Sequence, residues 1–147
     1  MTESRKHDKI DVPILVINAG SSSIKFSVFE TGNGCVLSAV LHGQVKGIGT
    51  APRLEVEDAR GGSITDRAVA ANDHDGAIAA ISAWFAGHVG CEVRFAGVGH
   101  RVVHGGLAYA EPVLVGARVM SDLENLIPLA PLPVSYTHLT LPTILRV

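Results

Sequence analysis

The stretch Ile14-Leu15-Val16-Ile17-Asn18-Ala19-Gly20-Ser21-Ser22-Ser23-Ile24-Lys25-Phe26-Ser27-Val28-Phe29 decides how this chain is read. Ile14 to Ile17 has the β-branched density of a buried strand. From Ile24 to Phe29 apolar and polar residues alternate, the period of a strand with one buried face. A Gly-Ser-Ser-Ser string is ordinarily a flexible connector, but two strand patterns abut it here without room for a linker, so it reads as a tight turn. If the second strand extends back into the turn, Ser21, Ser23 and Lys25 share one side while Ile24, Phe26 and Val28 face the core. Two hydroxyls, backbone N–H groups beside a glycine and an ammonium then form one patch, the donor set that an oligophosphate needs. The GxxxxGK[ST] spacing of a P-loop is absent, and the turn leads into a strand instead of a helix. From these residues alone, a plain turn and a phosphate grip both stand.

Working outward, residues 1–11 are polar and read as a tail. Thr31-Gly32-Asn33-Gly34 supplies the residues of a tight hairpin turn, and Cys35 to Leu41 returns as a strand, so the chain opens as an antiparallel meander. Short β patterns follow at Leu54–Glu57 and Ser63–Thr65. Asn72-Asp73 caps a helix running to about Ala86, ended by Gly87 or Gly90, with Ala77, Ile81, Trp84 and Phe85 on one face as core residues. A strand spans Val93 to Val103, and Val113–Val115 is another. Ser121-Asp122-Leu123-Glu124 has the form of a capping box opening a short helix that Pro128 and Pro131 terminate. This order of elements predicts a mixed α+β or α/β domain.

A second chemical signal is Gly99-His100-Arg101-Val102-Val103-His104-Gly105-Gly106. Histidines four apart share a metal only on a helix. The valines and glycines here argue for strand and loop, where that spacing is about 13 Å. Arg101 is either a solvated charge or a planar fork that grips a carboxylate or phosphate at two points, and the flanking glycines would let a ligand approach the backbone.

Composition excludes several classes. The 147 residues are 47% hydrophobic and 18% charged, the balance of a globular domain. Twelve basic and 14 acidic residues leave a net charge of -2, which gives no cationic field for nucleic acid or an anionic membrane. The charged start and short apolar runs carry no signal peptide or membrane span, so a cytoplasmic location is expected. Cys35 and Cys91 lack CxxC spacing and read as free thiols.

Both signals, in this order, resemble the acetate and propionate kinases. Asn18 to Phe26 looks like the first phosphate-binding hairpin of that family, Gly99 to Gly106 like its second signature, and Leu129-Ala130-Pro131-Leu132 like a third. The resemblance implies the ribonuclease-H-like core shared by sugar kinases, actin and the Hsp70 ATPase, here incomplete. It implies ATP and Mg2+, a short carboxylate substrate such as acetate, and a homodimer for the full-length parent. Asn18 would help hold the magnesium. Ser21, Ser23 and Lys25 would contact the phosphates. Arg101 would act at the substrate carboxylate or the transferring phosphoryl group, and Val103 and Leu132 would line the pocket for the acetate methyl. A propionate or butyrate kinase, or a non-catalytic nucleotide-binding module, are the alternatives.

The pattern breaks after Leu132. The family continues with His-Asn-Pro, whereas this chain reads Pro133-Val134-Ser135. Residues 134–143 resemble the translation of a sequencing adapter. The expected organisation is therefore a polar tail at 1–11, a partial amino-terminal kinase domain at 12–133 and a non-native tail at 134–147, truncated and inactive alone. His138 is not expected to replace the missing histidine, because a displaced imidazole would not be aimed at the same site.

Overall fold

A computed structural model describes residues 12–31, 37–89, 95–101, 109, 111–125 and 143–146. The chain runs β1 (Ile14–Ala19), β2 (Ser23–Thr31), β3 (Leu37–Lys46), β4 (Arg53–Asp58), β5 (Ser63–Ala68), α1 (His74–Val89), β6 (Gly97–Arg101), β7 (Val113–Leu114), α2 (Ala117–Glu124) and β8 (Thr143–Arg146). The strands form one sheet in the order β5-β4-β3-β2-β1-β6-β8-β7. β1 to β5 pair antiparallel in succession, while β6 lies parallel to β1 and β8 parallel to β6. The expected mixed α/β class holds, and so does the opening meander.

Strand alternation sorts the two faces. Leu15, Ile24, Phe26, Val28, Val45, Leu54, Val56 and Val98 are buried on one of them. There they pack with Ala77, Ile81, Trp84 and Phe85 of α1, the four residues expected on its inner face. Phe85 sits at the centre, edge-on to Phe26 at 5.6 Å and to Phe95 at 5.5 Å, a geometry that aromatic quadrupoles favour. The Trp84 indole donates to Thr65 Oγ1 at 2.7 Å and ties α1 to β5, a strand that otherwise buries little. Thr65→Val would leave that N–H without its partner. Urea unfolding followed by Trp84 fluorescence is expected to show a loss of about 1–2 kcal/mol.

The other face is polar. Across β3, β4 and β5 it carries ion pairs between Lys46 and Glu55 and between Arg53 and Asp66, and His42 Nε2 lies 3.4 Å from Glu57 Oε2. Lys46, and then Gln44, hold the Glu55 carboxyl below its usual range.

Several boundaries differ from expectation. Of the expected Asn72-Asp73 cap, it is Asp73 that caps α1, its Oδ1 accepting from Gly76 N at 2.8 Å. Gly87 lies inside that helix, in open space where its missing side chain costs little packing. Ser121 does not open α2. The helix begins at Ala117 behind an extended Gly116, because Ala117 to Met120 form a helical turn of their own and need no side-chain cap. β3 runs on to Lys46, five residues beyond the expected Leu41. The Gly32–Gly34 turn, both cysteines, and Pro128 and Pro131 lie outside the described residues. Of residues 134–147, only Thr143–Arg146 are described, as the backbone of β8.

Candidate functional site

The site is built on the link between β1 and β2. Gly20 N donates to Ser23 O at 2.7 Å, which closes the turn on itself. From one side the β3–β4 connection reaches in, Ile48 N donating to Ser22 O at 3.0 Å. That connection bends sharply through Gly47 and Gly49, at φ 68° and 80°, a conformation that side chains disfavour. The third contact comes from α1, where His74 Nε2 lies 2.6 Å from Gly20 O. A carbonyl only accepts, so Nε2 carries the proton. Three carbonyls of the turn are thus engaged by the protein. Among the described residues, the N–H groups of Ser21 and Ser22 have no protein acceptor. A turn with the carbonyls of Gly20, Ser22 and Ser23 engaged and the N–H groups of Ser21 and Ser22 open is suited to an anion.

The structure brings Asn18 and Lys25 side by side, as Cα partners across β1 and β2. Ser23 precedes Lys25 by two residues on the same strand and shares its face, away from the buried Ile24, Phe26 and Val28. Ser21 and Lys25 are exposed, whereas Asn18 and Ser23 are half-buried. The parallel register sets Ile17 beside His100, which places Arg101, the last residue of β6, next to Asn18 along the same sheet face. Arg101 is exposed. Val103, Leu132 and His104 lie outside the described residues. Beside Lys25 the open face dips into a groove of about 270 Å³ lined also by Ser27, His42, Gln44, Glu55 and Glu57.

Asn18 offers one neutral oxygen, and among the described residues no group of three or more His, Cys, Asp or Glu side chains is placed to hold a metal. A cation at this face would take most of its ligands from a bound group or water.

His100 faces the core side, not the site. Burial pushes its imidazole below its ordinary 6.5, an effect partly offset by a hydrogen bond from Nδ1 to the Arg101 carbonyl at 3.1 Å. The unfolded chain therefore takes up a proton on His100 before the folded one does, so stability falls as pH drops below about 6.5 and the effect vanishes well above it. In His100→Gln, the urea midpoint is expected to change less between about pH 7.5 and 5.5 than in the parent sequence.

Sequence reasoning missed His74 and Ile48. Both act across long separations, 54 residues in the case of His74 and Gly20, and no local pattern announces such a contact.

Residues 13–141 match the acetokinase family. The acetate kinase of Rhizobium meliloti is 44% identical over 122 residues, which cover 81% of this chain and 30% of that protein. The propionate kinase of Yersinia enterocolitica is 39% identical over 120 residues, with 81% and 27% covered. The chain thus spans about 30% of the length of the curated relatives it matches. Among solved structures, the acetate kinase of Porphyromonas gingivalis superposes with a TM-score of 0.73 at 25% identity, over 91% of this chain and 36% of the other. A propionate kinase from Francisella tularensis, at 23% identity and the same TM-score, shares the fold. Among the described residues no helix is long and apolar enough to cross a membrane.

Proposed function

This chain belongs to the acetokinase family, and on that premise we propose that its residues serve an ATP:acetate phosphotransferase. In the reaction a carboxylate oxygen of acetate attacks the γ-phosphorus of ATP, the bond from that phosphorus to the β–γ bridging oxygen breaks, and acetyl phosphate and ADP are formed. The reverse direction uses the same contacts.

The observation that carries the reading is the juxtaposition of an open-donor turn with Lys25, Asn18 and Arg101 on one face of adjacent strands. Phosphoryl transfer mainly requires charge neutralisation on the equatorial oxygens and alignment of donor with acceptor. The Ser21 and Ser22 amides, the Ser21 and Ser23 hydroxyls and Lys25 would bind phosphate oxygens. Asn18 would orient a magnesium ion carried by the nucleotide, which supplies further charge neutralisation when bound. Arg101 would hold the acceptor carboxylate and the transferring group in one planar fork. Val103 and Leu132 are proposed to flank the methyl group, and a homodimer is proposed for the full-length enzyme.

Propionate as substrate is the second reading, favoured by the 39% identity to a propionate kinase. One methylene in an apolar pocket discriminates by about 1–3 kcal/mol, so the two acids are separated by degree. The test is expression of the full-length gene, recovered by long-read sequencing across the codons for Leu132 to Val147, followed by trapping of acyl phosphates with hydroxylamine. Acetyl phosphate formed at the higher kcat/KM supports the acetate reading, and a propionyl preference replaces it. ATP binding without transfer to either acid would leave a nucleotide-binding module. The 147-residue polypeptide alone, spanning about 30% of its relatives, is expected to give no turnover.

A further inference from the structure

We infer that His74 is a positioning residue for the phosphate turn, holding the Gly20–Ser21 peptide plane so that the Ser21 N–H is presented to the nucleotide. This inference rests on the phosphate-binding reading of the same turn.

A trans peptide is planar, and its N–H points opposite to its C=O. With Gly20 O drawn to His74 Nε2 at 2.6 Å, the Ser21 N–H is directed away from α1, on the exposed side of the turn. Rotation of that plane would exchange a donor for a carbonyl oxygen, which repels phosphate. Gly20 has no Cβ to resist the rotation, and a Cβ built there meets nothing closer than 3.5 Å. The Gly20 N to Ser23 O bond holds the peptide plane before Gly20, and the bond from His74 holds the one after it.

His74 is suited to this because its own backbone is fixed. It opens a helix whose inner face is buried against the sheet through Ala77, Ile81, Trp84 and Phe85. The approach to that helix is held as well. Gly49 N donates to Ala71 O at 3.1 Å, and Asp73 Oδ1 accepts from Gly76 N at 2.8 Å. The β3–β4 connection thus grips the Ser22 carbonyl with Ile48 and the Ala71 carbonyl with Gly49, so that turn, connection and helix start form one bonded unit. His74 closes it.

Two variants test the assignment. His74→Leu removes the donor, whereas His74→Gln keeps an N–H that can reach the carbonyl. In the chain without ligand, the amides of Gly20 and Ile48, both bonded to the turn, are expected to exchange about fivefold faster in His74→Leu, the equilibrium equivalent of one lost hydrogen bond. The core amide of Val45 is expected to be unchanged, and His74→Gln to restore the parent rates. In the full-length enzyme, His74→Leu is expected to raise the KM for ATP by a similar factor and leave the KM for acetate unmoved, again with rescue by glutamine. Unchanged exchange at Gly20 and Ile48, exchange raised equally at Val45, or failure of glutamine to rescue would each overturn the assignment. Addition of ATP to the parent chain judges the phosphate reading separately. Slower exchange at Ser21 and Ser22 supports it, and its absence removes that reading whatever His74 does to the ligand-free turn.

Discussion

Replacing Arg101 by leucine is expected to lower kcat/KM for acetyl phosphate formation about a thousandfold in the full-length enzyme, the scale on which a guanidinium at a transferring phosphoryl group acts. Arg101 ends β6 beside Asn18, with Lys25 one strand further along the same face. No ion pair engages it among the described residues, and its exposure means that its removal leaves no cavity. Stability is accordingly expected to change by no more than about 0.5 kcal/mol, so lost activity would not be a folding effect. Lysine at this position would keep the charge but lose the two-point fork, and Arg101→Lys is expected to remain far below the parent enzyme. Steady-state kinetics with acetate and ATP varied independently decide the matter. A loss of tenfold or less in Arg101→Leu would return the residue to the class of solvated surface charges and remove the main support for transfer at this face.

The second large effect concerns stability. Gly43→Ala is expected to destabilise the chain by about 3 kcal/mol, at the upper end for overpacking a core. A Cβ at position 43 would stand 2.5 Å from Phe26 Cζ, 2.9 Å from Phe26 Cε1 and 2.7 Å from the backbone oxygen of Glu55. Phe26 cannot step aside freely. It is 2% exposed and lies edge-on to Phe85, so the ring is held between β3 and α1. The oxygen belongs to β4, whose ladder to β3 runs through the same position. Urea denaturation followed by Trp84 fluorescence gives the number. In a Phe26→Leu background the penalty of Gly43→Ala is expected to shrink by about 1 kcal/mol or more, because the ring accounts for two of the three close approaches. A penalty below about 1 kcal/mol in the parent background would mean that the sheet relaxes around the methyl group.

Ser23 and Lys25 were legible on one face because a strand has a period of two, and that period is written in the order of apolar and polar residues; Ser21 lies before β2, and Asn18 joins the face only through its pairing with Lys25. The inner face of α1 was legible for the corresponding reason, its four apolar residues Ala77, Ile81, Trp84 and Phe85 recurring at helical spacing. Local order also carried the meander, since each hairpin joins neighbours in sequence. It did not carry the start of α2, where the capping-box pattern at Ser121 marked the middle of a helix, because backbone propensity upstream outweighed a side-chain cap. It could not place Arg101 beside Asn18 either. The parallel pairing of β6 with β1 joins segments about 80 residues apart, and their register is set by burying Leu15 and Val98 on the α1 side. The absence of a side chain at Gly43 acquires its meaning only once Phe26 lies across it. What the sequence determined by itself was which residues alternate, turn and coil, because those preferences are local. Which of them meet, including the contact that draws His74 to the Gly20 carbonyl, was decided by the packing of α1 against the sheet, which no stretch of neighbouring residues encodes.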